Sequence, residues 1–168
     1  GKTRTLTYRV AWLLDHHVDA RQILLLTFTN KAAREMTERV RELVPQDTSA
    51  LWAGTFHSIG SRILRRHAED IGFTRSFSIL DRDDQKSMLN AVIGALDIDT
   101  KQRRFPKADV LASMFSLVEN TEVPLEEIIA DRYDHFYDWI DEIQKVHLGY
   151  AAKKLATNSM DFDDLLVQ

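Results

Sequence analysis

The stretch "QILLLTFTNKAAREMTERV", Gln22 to Val40, decides the fold class of this chain. Its opening, Ile23 to Leu26, is an unbroken apolar run, too short for a helix and too apolar for a strand with one wet face. It is expected to form a parallel strand buried on both faces. The period then changes. Ala33, Met36, Val40 and Leu43 recur at helical spacing, Thr29 or Asn30 stands where an N-cap is needed, and Pro45 lies just beyond the end. A buried strand running straight into an amphipathic helix is one half of a layered α/β unit.

Working outward, Leu6, Val10, Leu13 and Leu14 share one helical face, predicting a helix over Thr3 to His16. Downstream, "LWAGTF" (Leu51 to Phe56) reads as a second short strand. "HSIGSRILRRHAEDIG" reads as a third helix, with Ile59, Ile63 and Ile71 inward and Gly72 as its stop. "FSIL" is a third strand candidate, and Asp81 caps whatever follows. From there to about Thr157 only helical signals occur: Asp84 to Leu96, Pro106 to Glu119, Pro124 to Ala130, and a long helix from Tyr133 to Leu155. That last segment aligns Tyr133, Phe136, Tyr137, Ile140, Ile143, His147 and Tyr150 on a stripe expected to be core. The expected fold class is α/β with a parallel sheet, joined by an all-helical part. The divisions fall at 1–81, 82–157 and 158–168.

Composition narrows the function classes. At 168 residues, 44% hydrophobic and 29% charged, the chain has the make-up of a globular domain rather than a disordered one. It has no cysteine, hence no disulfide framework and no thiolate metal site. No apolar run reaches the roughly 18 residues of a membrane span, so no membrane partner is expected and a cytoplasmic location is the simplest reading. The net charge of −4 argues against nucleic-acid binding through bulk charge. It leaves room for a local track. Basic residues cluster at Arg62, Arg65 and Arg66 and at Lys101, Arg103 and Arg104, each of which also fits a solvated face.

Two loops carry candidate chemistry, because each follows a predicted strand and opens a helix. Thr27, Phe28, Thr29 and Asn30 form one; Thr55, Phe56, His57 and Ser58, after Gly54, form the other. In an open parallel sheet, ligands sit outside the carboxyl ends of the strands. Hydroxyls and helix-start amides suit phosphate oxygens, and an exposed aromatic suits base stacking. The other reading is that Phe28 and Phe56 continue their strands into the core. At the amino end, "GKTRT" (Gly1 to Thr5) starts the first helix and has the form of the tail of a phosphate-binding loop, although three residues also arise by chance. If the loop reading holds, this tripeptide should share a sheet edge with the other two loops.

The ordered set "GKTRTLTYRV", "LLLTFTNKAAREMTERV", "GTFHSIGSRIL", "FSILDRDDQ" and "MDFDDLL" resembles the UvrD/Rep/PcrA family of superfamily 1 DNA helicases. The resemblance runs over the whole chain and is least distinctive in the helical middle. It implies a partial RecA-like P-loop domain interrupted by an inserted all-helical subdomain, in a motor that moves 3′ to 5′ on single-stranded DNA using ATP and Mg²⁺ and unwinds duplex at a junction during repair or replication restart. By position, Gly1, Lys2 and Thr3 match the end of the phosphate-binding loop, with Lys2 toward the β and γ phosphates and Thr3 toward Mg²⁺. Arg4 follows that loop and stands near the nucleotide. Thr27 to Asn30 and Thr55 to Ser58 match two single-strand contact motifs, and His57 and Ser58 are placed to link the DNA track with the nucleotide.

Asp161, Asp163 and Asp164 look like metal ligands, but a helix N-cap with an acidic first turn explains them better. The resemblance also implies that the glycine half of the phosphate loop and an adenine-contacting Gln precede Gly1. The Walker B acid pair would follow Gln168, and a second RecA-like domain would supply an arginine. The 168 residues alone are therefore expected to be inactive. Three alternatives remain: a helicase-nuclease subunit of the same superfamily, a non-catalytic single-strand-binding module, and an unrelated P-loop kinase or GTPase.

Overall fold

The structure is a computed structural model describing residues 1–96, 98 and 104–168; Lys101 and Arg103 of the second basic cluster lie outside it. It comprises two compact units, Gly1–Ile63 and Leu64–Gln168.

In unit 1, α1 (Lys2–Asp15) leads through a 3₁₀ turn (Ala20–Gln22) into β1 (Leu24–Thr27), then α2 (Asn30–Leu43), β2 (Trp52–Thr55) and the start of α3 (Phe56–His67). The strands are parallel, with Leu24 opposite Trp52 and Thr27 opposite Thr55. The core gathers Val10, Ala11 and Leu14 of α1, Leu25 of β1, and Met36 and Val40 of α2.

Three expectations change here. β1 is buried on one face only: Leu25 enters the core, whereas Leu24 is 52% exposed, since alternate strand residues face opposite ways and both helices of this core serve the Leu25 side. The buried face of α1 is Thr7, Val10, Ala11 and Leu14, with Leu6 at 49% exposure. Thr7 is accommodated there because its hydroxyl donates to the Arg4 carbonyl oxygen at 2.9 Å. In α3, Ile63 is also exposed, and Leu64, with Ala68 of the 3₁₀ turn that follows, supplies the buried positions one step on. α2 follows its sequence pattern. Thr29 is the N-cap, its hydroxyl accepting from the Ala32 amide at 3.2 Å, and Ala33, Met36 and Val40 are buried.

Unit 2 takes up the end of α3, a 3₁₀ turn (Ala68–Ile71) and Gly72, whose φ of 82° is the left-handed stop that glycine accommodates. β3 (Ser78–Ile79) follows, then α4 (Arg82–Ala95), α5 (Ala108–Thr121), α6 (Leu125–Arg132), α7 (Ile140–Ala156), β4 (Ser159–Met160) and α8 (Asp164–Val167). Asp81 caps α4 in a reciprocal box with Asp84. β3 and β4 are parallel neighbours, Ser78 opposite Ser159 and Ile79 opposite Met160, so the chain returns beside its own strand after the helices. Asn158, at φ 50°, fixes that return, its side chain accepting from the Thr74 amide and donating to the Thr74 hydroxyl.

The long helix expected over Tyr133 to Leu155 is divided. Asp134–Trp139 is 3₁₀ and only Ile140–Ala156 is α-helical. Three residues per turn put Tyr133, Phe136 and Trp139 on one side, and all three pack on the helical core, Trp139 edge to face with Phe105 at 5.3 Å. Tyr137, on the expected stripe, faces solvent instead.

Candidate nucleic-acid interface

Because Thr27 and Thr55 are register partners, the residues after them emerge side by side from adjacent parallel strands. Phe28 is 91% exposed and Phe56 46% exposed, and their rings meet edge to face with centroids 6.1 Å apart. Neither continues into the core, so the open question about these two aromatics resolves toward the surface. Two large apolar rings held in solvent by a sheet edge are unusual unless they serve as a contact surface.

The backbone around them is fixed by local hydrogen bonds. The Thr29 hydroxyl caps α2. The Thr55 hydroxyl accepts from the Ser58 amide at 3.2 Å, and the Ser58 hydroxyl donates to the Thr55 carbonyl oxygen at 2.9 Å, making the entry to α3 a closed capping turn. Asn30, His57 and Ser58 are all exposed on the first turns of α2 and α3. Each loop thus presents a helix N-terminus, with its positive dipole end, next to an exposed ring. Gly54 contributes in a way its sequence context did not single out. A Cβ there would lie 2.5 Å from Ser58 Oγ and 3.3 Å from Ile59 Cγ1, so only glycine lets the capping turn close this tightly.

Gly1, Lys2, Thr3 and Arg4 are exposed on the first turn of α1, whose Gly1 carbonyl accepts from the Arg4 and Thr5 amides. The structure does not bring them to the two loops. Arg4, Thr7 and Tyr8 line a cavity of about 280 Å³ with Arg39, Glu42 and Leu43, which belong to the end of α2 remote from Thr29. At 1.5 Å per residue, the 14 residues of α2 separate its two ends by about 20 Å.

The three aspartates near the carboxyl end hold no metal arrangement; among the described residues no group of three or more His, Asp or Glu could hold an ion. Asp161 and Asp164 instead form a reciprocal cap, each backbone amide donating to the other's carboxylate at 2.8 and 3.0 Å. Lys154, from the last turn of α7, donates to Asp161 at 2.9 Å and to Asp164 at 2.7 and 2.8 Å, while the Tyr150 hydroxyl donates to Asp161 at 2.9 Å. All four side chains are buried. Burial pulls the Lys154 ammonium down, but the two carboxylates more than offset it and its pKa is raised. Burial pushes Asp161 up, yet Lys154 and the Asp164 amide hold it below the usual carboxylate range. Asp164 is raised, by burial and by the neighbouring Asp161 charge. Asp163 stands outside, accepting from the Asn120 side chain at 2.8 Å. A helix cap was expected from these aspartates; the lysine that neutralises it was not.

Residues 1–168 match the UvrD/REP helicase N-terminal domain. The ATP-dependent DNA helicase PcrA of Staphylococcus aureus is 40% identical over 169 residues, covering 99% of this chain and 22% of that protein. The PcrA helicase of Staphylococcus epidermidis is 39% identical over 168 residues, again 99% of this chain and 22% of its own length. The chain therefore spans about a fifth of the curated relatives it matches. The paired aromatic loops belong to a sequence matched from end to end, and this chain belongs to the family of the UvrD/REP helicase N-terminal domain.

Proposed function

We propose that this chain is part of an ATP-dependent DNA helicase that translocates 3′ to 5′ on single-stranded DNA and unwinds duplex at a junction, in repair or replication restart. The observation that carries the reading is the exposed pair Phe28 and Phe56, fixed edge to face above adjacent strand ends. Successive bases of a single strand stack on such rings without regard to sequence. The helix starts at Asn30 and Phe56 offer amides to the phosphates between those bases, with Thr27, Thr29, Thr55, His57 and Ser58 alongside.

The donor set at the start of α1 suits ATP and Mg²⁺: an exposed ammonium, an exposed hydroxyl and the positive end of a 14-residue helix. In this reading Lys2 holds the β and γ phosphates, Thr3 holds Mg²⁺, and Gly1 and Arg4 flank the nucleotide. Bound Mg-ATP supplies the phosphoryl-transfer free energy that drives stepping. The domain layout proposed is a RecA-like part over 1–81, an inserted helical subdomain over 82–157, and a return over 158–168. The parallel pairing of β3 with β4 on either side of the helices supports it. No described helix is long and apolar enough to cross a membrane, and a cytoplasmic site of action accompanies the proposal.

The deciding experiment is Phe28→Ala in the full-length protein, read as single-stranded DNA affinity and DNA-stimulated ATP hydrolysis. A marked loss of both is expected. Undiminished DNA binding would remove the reading of these two loops as the single-strand track.

A further inference from the structure

Unit 2 contains a cavity of about 670 Å³. It lies where the segment entering α5 meets the end of α6 and the 3₁₀ turn beyond it. Phe105 and Phe136, both buried, and Val110 give it an apolar floor. Arg104 and Lys107, on the segment entering α5, and Arg132, at the end of α6, are exposed around it, and among the described residues no carboxylate lines it. In a chain with 26 acidic and 22 basic residues, three cations around one cavity with no acid among its described lining residues are a departure from the mixed surface elsewhere.

Two further features point the same way. Lys107 is the N-cap residue of α5 and makes no side-chain hydrogen bond to the first turn, so the positive end of a 14-residue helix opens at the same place. Tyr133 and His135 add a half-buried and an exposed ring to the wall. The His135 and Phe136 rings meet at a tilt of 44° with centroids 4.1 Å apart, and the Asp134 carboxylate lies 3.5 Å from the His135 Nδ1. The volume is within the 300 to 1,000 Å³ usual for small-molecule sites. An anion alone would need the cations but not the rings; an apolar ligand would need the rings but not the cations.

We propose that this cavity binds a nucleotide, its phosphate neutralised by Arg104, Lys107 and Arg132 and its base against the aromatic wall. The nucleotide comes either from a nucleic-acid strand or from the free pool. The inference rests on the helicase reading only for the strand source. In the full-length protein, the variant R104A/K107A/R132A removes the three cations without touching the floor. A variant of equal charge change at exposed positions of the same unit, R75A/K145A/K153A, controls for bulk electrostatics.

With a labelled oligo-dT, the cavity variant is expected to bind about 10-fold more weakly than the control. The slope of log affinity against log salt should fall by about 0.7, the value for one lost single-strand phosphate contact. If oligo-dT binding instead matches the control while saturable binding of free thymidine monophosphate is lost, the nucleotide is a free ligand and the site stands. If both probes bind the two variants alike, the proposal is overturned. Failure of the single-strand track reading is distinguishable, because it shows in Phe28→Ala and leaves the comparison of these two variants intact.

Discussion

Phe28 and Phe56, 28 positions apart in sequence, stand edge to face with ring centroids 6.1 Å apart because the residues before them, Thr27 and Thr55, are partners in a parallel register. Burial does not hold them there, since Phe28 is almost wholly exposed. Their position is a product of strand pairing and of two helix caps.

Removing either ring should therefore cost binding and spare the fold. Phe28→Ala in the full-length protein is expected to lose about 1–3 kcal/mol of single-stranded DNA binding, with Phe56→Ala similar. The double variant should lose less than the sum, because the rings touch. Chemical denaturation should move by less than about 0.5 kcal/mol for Phe28→Ala, as expected of an exposed side chain. Fluorescence anisotropy and a urea titration check the two halves separately.

Lys2→Ala should give the opposite separation. In the full-length protein, turnover of ATP is expected to vanish while single-stranded DNA binding stays within about twofold, since Lys2 stands at the start of α1 and the paired rings follow β1 and β2. The 168 residues alone should show no DNA-stimulated hydrolysis. A steady-state phosphate-release assay with and without oligo-dT reads both.

Two glycines in helices should respond with opposite signs. A Cβ at Gly149 in α7 would lie 2.8 Å from Cγ1 of the buried Val92 in α4, a β-branched side chain with little rotamer freedom. Gly149→Ala should destabilise unit 2 by about 1–3 kcal/mol through overpacking. At Gly94 in α4 nothing lies within 4 Å of the added atom, and Gly94→Ala should stabilise by about 0.5–1 kcal/mol through helix propensity. Thermal melts of the two variants decide it.

The buried Lys154 network predicts both a large mutational effect and a pH dependence. Lys154→Met leaves two buried carboxylates without their cation and should cost about 3–5 kcal/mol. Asp161 is depressed in the folded state, so its stabilisation is present above the ordinary carboxylate range and is lost as pH falls through the folded value. Lys154 is raised, so its contribution is complete below the ordinary lysine range and is lost as pH rises through the folded value. Asp164 is raised and acts against Asp161, contributing most below the ordinary carboxylate range and losing that contribution as pH rises through its folded value. Asp161→Asn should flatten the acid limb of a stability-versus-pH curve more than Asp164→Asn does, measured by urea unfolding across pH 3 to 7.

Local pattern alone determined a good deal. The strand-to-helix switch at Thr29, the helical spacing of Ala33, Met36 and Val40, the Asp81 cap and the Gly72 stop depend on interactions within a few residues, and period and turn chemistry encode those directly. The two strand-to-helix turns of the candidate site were legible for the same reason, since a hydroxyl, an aromatic and a helix start are neighbours in sequence.

Tertiary structure decided the rest, through contacts between distant residues. Register put Phe28 beside Phe56, and packing onto one face only left Leu24 exposed in a run that looks uniformly apolar. Core contacts of Phe136 and Trp139 wound the start of a presumed long helix into 3₁₀. Lys154 became the counter-ion of Asp161 and Asp164 only because α7 returns the chain beside β3. A charge in a sequence carries no sign of burial; its partner and its desolvation exist only once the chain has folded around it.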